Sequence, residues 1–233
     1  MDVIQYGGLL NKAFCDLIIT AAQDKLRVAG VVGEQDGSRI ADDAWIDPKS
    51  SPEIEGLREW IAGTTSSPIE NQEDGTVVRY KPGGKYELHH DFFRPEIPIQ
   101  KEELLRGGNR VWSFLIYLNE DFKGGETYFP NHNLKVKPEI GKGVLWRNTE
   151  DGVLLEESQH AGEPVIEGQK WVYITWITVT VRPFGGDIKD REVVTKAEVN
   201  REKAEFKKKA YRLLVEYDED IILMAAKIIN RNE

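Results

Sequence analysis

Between Thr76 and Val181 the chain is a succession of short β-branched and aromatic runs, with no long helical pattern between them. Thr76–Tyr80, Tyr86–Asp91, Arg110–Leu118, Glu126–Phe129, Leu134–Val136, Gly143–Trp146, Glu163–Glu167 and Lys170–Val181 each have the length and composition of a strand. Gly83-Gly84, Gly107-Gly108, Gly124-Gly125 and Gly141 punctuate them. Many short strands without crossover helices predict an antiparallel double-sheet roll or barrel.

The flanks read differently. Apolar spacing near the helical period predicts helices over Leu9–Leu26 and Ile54–Ile61, with strand and loop over Gly30–Pro52. Past Gly186, Thr195 and Glu198 form a capping-box pattern. The helix formers that follow carry a stripe of Phe206, Ala210, Leu213, Leu214, Tyr217, Ile221 and Met224. This stripe would pack on the domain's own sheet or serve as a homodimer surface. The expected class is therefore α+β and mainly β: a domain over residues 1–184 with N-terminal supporting helices, and a helical C-terminal extension over 185–233.

Cys15, the single cysteine among 233 residues, excludes an internal disulfide and fits a reducing compartment. It lies in the first predicted helix, where a small apolar side chain would be buried. Asp2, Gln5, Asn11, Lys12 and Asp16 interrupt any signal-peptide pattern at the start, and no apolar run reaches membrane-spanning length. These features predict a cytoplasmic protein with no membrane partner. A net charge of -9 argues against nucleic acid, whose affinity comes mostly from Lys and Arg.

The chemistry is carried by four residues. His89 and Asp91 are two apart in Tyr86-Glu87-Leu88-His89-His90-Asp91, so on a strand they share a face, and His160 downstream can complete a triangle from a neighbouring strand. Two imidazoles and a carboxylate that leave coordination positions open are the donor set of a non-haem Fe(II) oxygenase. His-x-Asp alone is a weak signal. His90 points off the opposite strand face, to packing or solvent, and His132 reads as a loop residue. Lys170 strengthens the reading, because it sits among Trp171, Val172, Ile174 and Trp176, and burying an ammonium there requires an anionic partner. A dicarboxylate that chelates the metal with one end answers that need.

These residues lie within a longer pattern. Arg39 followed by Trp45, Tyr80-Lys81-Pro82-Gly83-Gly84-Lys85-Tyr86, Arg110, Gly124-Gly125-Glu126-Thr127-Tyr128-Phe129-Pro130, Gly143-Val144-Leu145-Trp146-Arg147-Asn148 and the His160–Trp176 block occur in order. From about Phe14 to Val181 the chain resembles the prolyl 4-hydroxylases, a branch of the 2-oxoglutarate and Fe(II)-dependent dioxygenases. The resemblance implies a double-stranded β-helix, or jelly roll. It implies His89, Asp91 and His160 as iron ligands, and Lys170, Tyr80 and Thr127 on the far carboxylate of 2-oxoglutarate. It also implies Tyr86, Arg110 and Trp176 at the peptide substrate. The implied reaction consumes O2 and 2-oxoglutarate, releases succinate and CO2, and hydroxylates a prolyl residue in a peptide or protein, with ascorbate as reductant.

Thr178 departs from the pattern, since peptide-hydroxylating relatives often carry a basic residue there. That leaves a free amino acid or a non-proline side chain as the alternative acceptor. Retention of all three ligands and Lys170 weighs against a non-catalytic binding module, and lysine in place of arginine at 170 weighs against a nucleic-acid demethylase. The polar, Pro-containing stretch Phe93–Gly108 would form a loop over the mouth of the site. Trp146, Trp171, Trp176 and Phe92 would wall off the reacting centre.

Overall fold

The computed structural model describes residues 2–30 and 38–180. The predicted C-terminal extension lies outside the described residues. Two antiparallel sheets face each other. The larger has seven strands in the order Val3–Tyr6, Gly143–Arg147, Arg110–Tyr117, Lys170–Thr178, Thr76–Tyr80, Asp42–Trp45, Arg27–Val28. The smaller runs Leu134–Val136, Thr127–Phe129, His160–Gly162, Lys85–His89, Arg39–Ile40. No helix among the described residues is long and apolar enough to cross a membrane.

Strand parity decides what each face buries. On Lys170–Thr178, Trp171, Tyr173 and Ile177 join one apolar cluster, while Val172 and Ile174 join another. On Arg110–Tyr117, Phe114 and Ile116 go with the first cluster and Leu115 and Tyr117 with the second. The first cluster lies under the helices and the second between the sheets. Lys170, in step with Val172 and Ile174, therefore faces the space between the sheets. Trp171 is out of step and packs under the helices, so it is not a wall of the site.

Helix α1, Lys12–Gln23, starts where Asn11 accepts a hydrogen bond from the Phe14 amide at 2.9 Å, and it buries Cys15, Ile18 and Ala22 along one stripe. Helix α2, Pro52–Thr65, is capped by Ser51, which accepts from the Ile54 amide, and Pro52 sits where its missing N–H costs nothing. These caps lie outside the apolar repeat, which is why periodicity alone under-measures this helix. Both helices cover the large sheet through Ile18, Ile54, Leu57 and Ile61.

Three expectations need correction. The stretch Phe93–Gly108 is not all loop: Pro98–Gly107 forms helix α3, started by Pro98 and closed by the Gly108 amide on the Leu104 carbonyl. Glu163–Glu167 does not run as one strand, since pairing begins at Val165 and a separate strand, His160–Gly162, precedes it. The strand carrying His89 ends at that residue, so Asp91 lies beyond the ladder.

Candidate active site

His89 and His160 are direct partners across two adjacent strands of the small sheet, His160 on the central one. Their rings lie 4.2 Å apart at the centroids. Each ring's Nδ1 is engaged with a carbonyl two residues back, His89 with Glu87 O at 2.7 Å and His160 with Ser158 O at 2.8 Å. A carbonyl can only accept, so Nδ1 carries the hydrogen on both rings and each Nε2 keeps its lone pair. Those Nε2 atoms face Asp91, at 3.7 Å from Oδ1 for His89 and 3.6 Å from Oδ2 for His160. One ligand atom from each of the three residues lies within 4.8 Å of the other two. This donor set suits a divalent iron: two neutral imidazoles, one carboxylate, and no further metal-ligating cluster among the described residues.

The titration tendencies agree. Burial, followed by the neighbouring His160, pushes His89 down to about 3. Burial likewise lowers His160. Burial opposes ionisation of Asp91, but the His160 and His89 rings, the Arg110 guanidinium and the Ser113 hydroxyl outweigh it and hold the carboxyl below its ordinary range. Neutral rings around an ionised carboxylate are the state a cation requires.

Asp91 reaches the triangle without belonging to the strand. Asp91 is 4% exposed, and its carboxylate is held from outside by the Ser113 Oγ–H at 2.7 Å. Rings close the flanks. Tyr86 stacks on His89 at 3.5 Å, and Trp146 meets His160 edge-on at 4.7 Å.

Lys170 enters the same cleft from the middle of the large sheet, opposite Tyr80 in the ladder, and is 2% exposed. No carboxylate of the described residues pairs with it. Its Nζ lies instead 5.0 Å from the Tyr80 ring centroid and 5.4 Å from that of Tyr117. Burial drives its pKa down to about 7, against a pull upward from Glu126. Gly125 makes room for the stem: its φ is +71, and a β-carbon there would meet Lys170 Cδ at 3.1 Å. Thr127 is fixed by the Tyr117 hydroxyl, which meets its Oγ1 at 2.7 Å and accepts from its amide at 3.2 Å. Burial raises both Tyr80 and Tyr117 and so keeps their hydroxyls protonated.

Arg110 is already engaged. Glu73 takes it through two bonds of 2.7 and 2.9 Å, and the guanidinium lies 3.8 Å from the Trp176 ring centroid. Phe93 covers it on another side at 4.6 Å, whereas Phe92 is only half-buried. Tyr86, Arg110 and Trp176 line one cleft with the triad and Lys170, of about 1750 Å³. Thr178 is turned away, its hydroxyl donating to Asn71 O or Thr180 O. His90 lies against Glu156, 3.6 Å from its carboxylate, and His132 closes a short 3-10 turn. Neither joins the triangle.

Sequence reasoning missed Tyr117, Ser113, Asn148 and Glu73. The first two were detectable, because a serine and a tyrosine share the parity of Leu115 on an otherwise apolar strand. Glu73 and Asn148 lie outside the predicted strands, where periodicity gives no direction.

Comparison with known proteins places this geometry. Residues 75–178 match the family described as the 2OG-Fe(II) oxygenase superfamily. The chain is 31% identical over 202 residues to prolyl 4-hydroxylase 2 of Arabidopsis thaliana, covering 75% of this chain and 66% of that protein. To prolyl 4-hydroxylase 1 of the same plant it is 32% identical over 197 residues, covering 75% and 68%. The chain thus spans about two thirds of the length of these relatives. Among solved structures, the viral collagen prolyl hydroxylase of Paramecium Bursaria Chlorella virus-1 in complex with 2OG is similar at a TM-score of 0.60 and 26% identity, covering 75% of this chain and 94% of that one.

Proposed function

The chain belongs to the prolyl 4-hydroxylase family of 2-oxoglutarate and Fe(II)-dependent oxygenases, and from that premise we propose that it hydroxylates a prolyl residue in a peptide or protein. The observation that carries the reading is the pairing, in one cleft, of the His89–Asp91–His160 triangle with a buried lysine that has no carboxylate partner among the described residues. Iron bound there supplies activation of O2, with 2-oxoglutarate leaving as succinate and CO2 and one oxygen passing to a C–H bond. The protein's contribution is placement. Lys170 receives the far carboxylate of the co-substrate as an ion pair, with the Tyr80 and Thr127 hydroxyls as donors beside it. Tyr117 locks Thr127 in the orientation that this requires.

Tyr86 and Trp146 fix the two imidazoles and keep water from them. Trp176, flattened against Arg110, gives the cleft a rigid wall along which a proline ring can lie. Glu73 neutralises Arg110, so this wall presents little net charge to a proline-containing segment. The test is mass spectrometry of proline-rich peptides incubated with the protein, Fe(II), 2-oxoglutarate and ascorbate. A gain of one oxygen on proline is expected, and His160→Ala should abolish it together with succinate formation while the fold persists. Succinate formation driven by free proline but by no peptide would move the acceptor to a small molecule. Undiminished turnover in the His160 variant would remove the triad from the reaction.

A further inference from the structure

Asp91 stands outside the ladder that fixes the two histidines, so its carboxylate needs another source of orientation. It also has a competitor for its charge, because Arg110 Nη1 lies 3.8 Å from Oδ1. A small rotation would shorten that ion pair into a direct hydrogen bond and turn an oxygen away from the histidines. Two buried side chains oppose it. Asn148 Nδ2 donates to Ser113 Oγ at 2.8 Å, and Ser113 Oγ donates to Asp91 Oδ2 at 2.7 Å. Ser113 and Asn148 are both 0% exposed. A hydroxyl has a single hydrogen, so accepting from Asn148 commits Ser113 to giving its own to Asp91. Asn148 Oδ1, on the far side of the amide, is buried with no partner. The amide therefore keeps its nitrogen toward Ser113 at the cost of its own carbonyl. Ser113 lies between Trp146 and Trp176 in the ladder and cannot drift.

We propose that Asn148 and Ser113 form a two-step hydrogen-bond relay that sets the rotation of the Asp91 carboxylate, making both positioning residues for the metal centre. The proposal rests on the reading of His89, Asp91 and His160 as a metal site and requires nothing of the prolyl substrate. Its test is the binding of Co(II) alone to the full chain, by calorimetry and by the ligand-field absorption of the bound ion. Ser113→Ala should weaken Co(II) by about tenfold to a hundredfold and shift its absorption bands, as loss of an outer partner of a ligand does. The metal-free variant should still unfold in one cooperative transition, at a midpoint lowered by the Asn148 amide left without its acceptor. Asn148→Ala should act in the same direction, and the double variant should bind no more weakly than the weaker single one, because the two residues act in series. Wild-type Co(II) affinity and spectrum in Ser113→Ala would overturn the relay, as would losses that multiply in the double variant. If Asn148→Ala does not fold, the Ser113 variant decides alone. Intact Co(II) binding with no hydroxylation of any peptide would instead count against the prolyl reading and leave the relay standing.

Discussion

Lys170 shows how one side chain links folding and binding. Its folded pKa, about 7, lies below the ordinary lysine value of 10.5. Between those two values the unfolded chain holds a proton that the folded chain has lost. The cost of burying Lys170 is therefore full below about pH 7 and is relieved as pH rises toward 10.5. A carboxylate arriving beside Nζ reverses that loss, so at pH 8 2-oxoglutarate should bind the Mn(II)-loaded protein with proton uptake. Calorimetry in buffers of different ionisation enthalpy reads this directly, and Lys170→Met should abolish the uptake along with most of the affinity. Lys170→Arg should not rescue binding, because the longer fork must fit where Gly125, Tyr80 and Tyr117 already enclose a slender stem. Lys170 was legible from the sequence because a charge in a run of Trp, Val and Ile has few explanations. Ser113 was legible in direction alone: its parity turns it between the sheets, but only its two partners give the hydroxyl a purpose.

At the level of elements, the strands were legible because alternation and glycine punctuation both mark them, whereas Pro98–Gly107 was read as loop because its apolar positions make no clear stripe. Connections carry more of the fold than their composition suggests. Gly141 has φ +72, and a β-carbon there would lie 1.9 Å from the Leu10 carbonyl oxygen. Its carbonyl accepts from the Leu10 amide and its own amide donates to Tyr117 O, so this turn ties the segment before α1 to the strand that ends under the Lys170 pocket. Gly141→Ala should lower stability by about 1–3 kcal/mol through backbone strain alone, and by more in total because the Leu10 backbone must move. Ser51→Ala, which removes only the α2 cap, should cost about 1 kcal/mol. Thermal denaturation of the two variants side by side checks the order. Gly141→Ala should also weaken 2-oxoglutarate binding, which the α2 cap should not touch.

Across the whole molecule, the site belongs to neither sheet alone: the small sheet holds both imidazoles and the large one holds the ammonium. Metal and co-substrate together should therefore stabilise the entire domain. At a hundredfold excess over its dissociation constant, a ligand specific to the folded state adds about 2.7 kcal/mol. Mn(II) with 2-oxoglutarate should accordingly raise the thermal midpoint of the wild type and leave His160→Ala unmoved, as differential scanning fluorimetry would show. The roll itself was readable from strand number and spacing. Which strand lies in the middle was not, because order in a sheet is set by contacts far apart in the chain. The strand Lys170–Thr178, last in sequence among those of the two sheets, lies between Arg110–Tyr117 and Thr76–Tyr80. A nascent polypeptide still short of it would hold two raw edges with their amides unmet. On the ribosome, every donor that grips the iron would already have emerged before the ammonium that pairs with the far carboxylate.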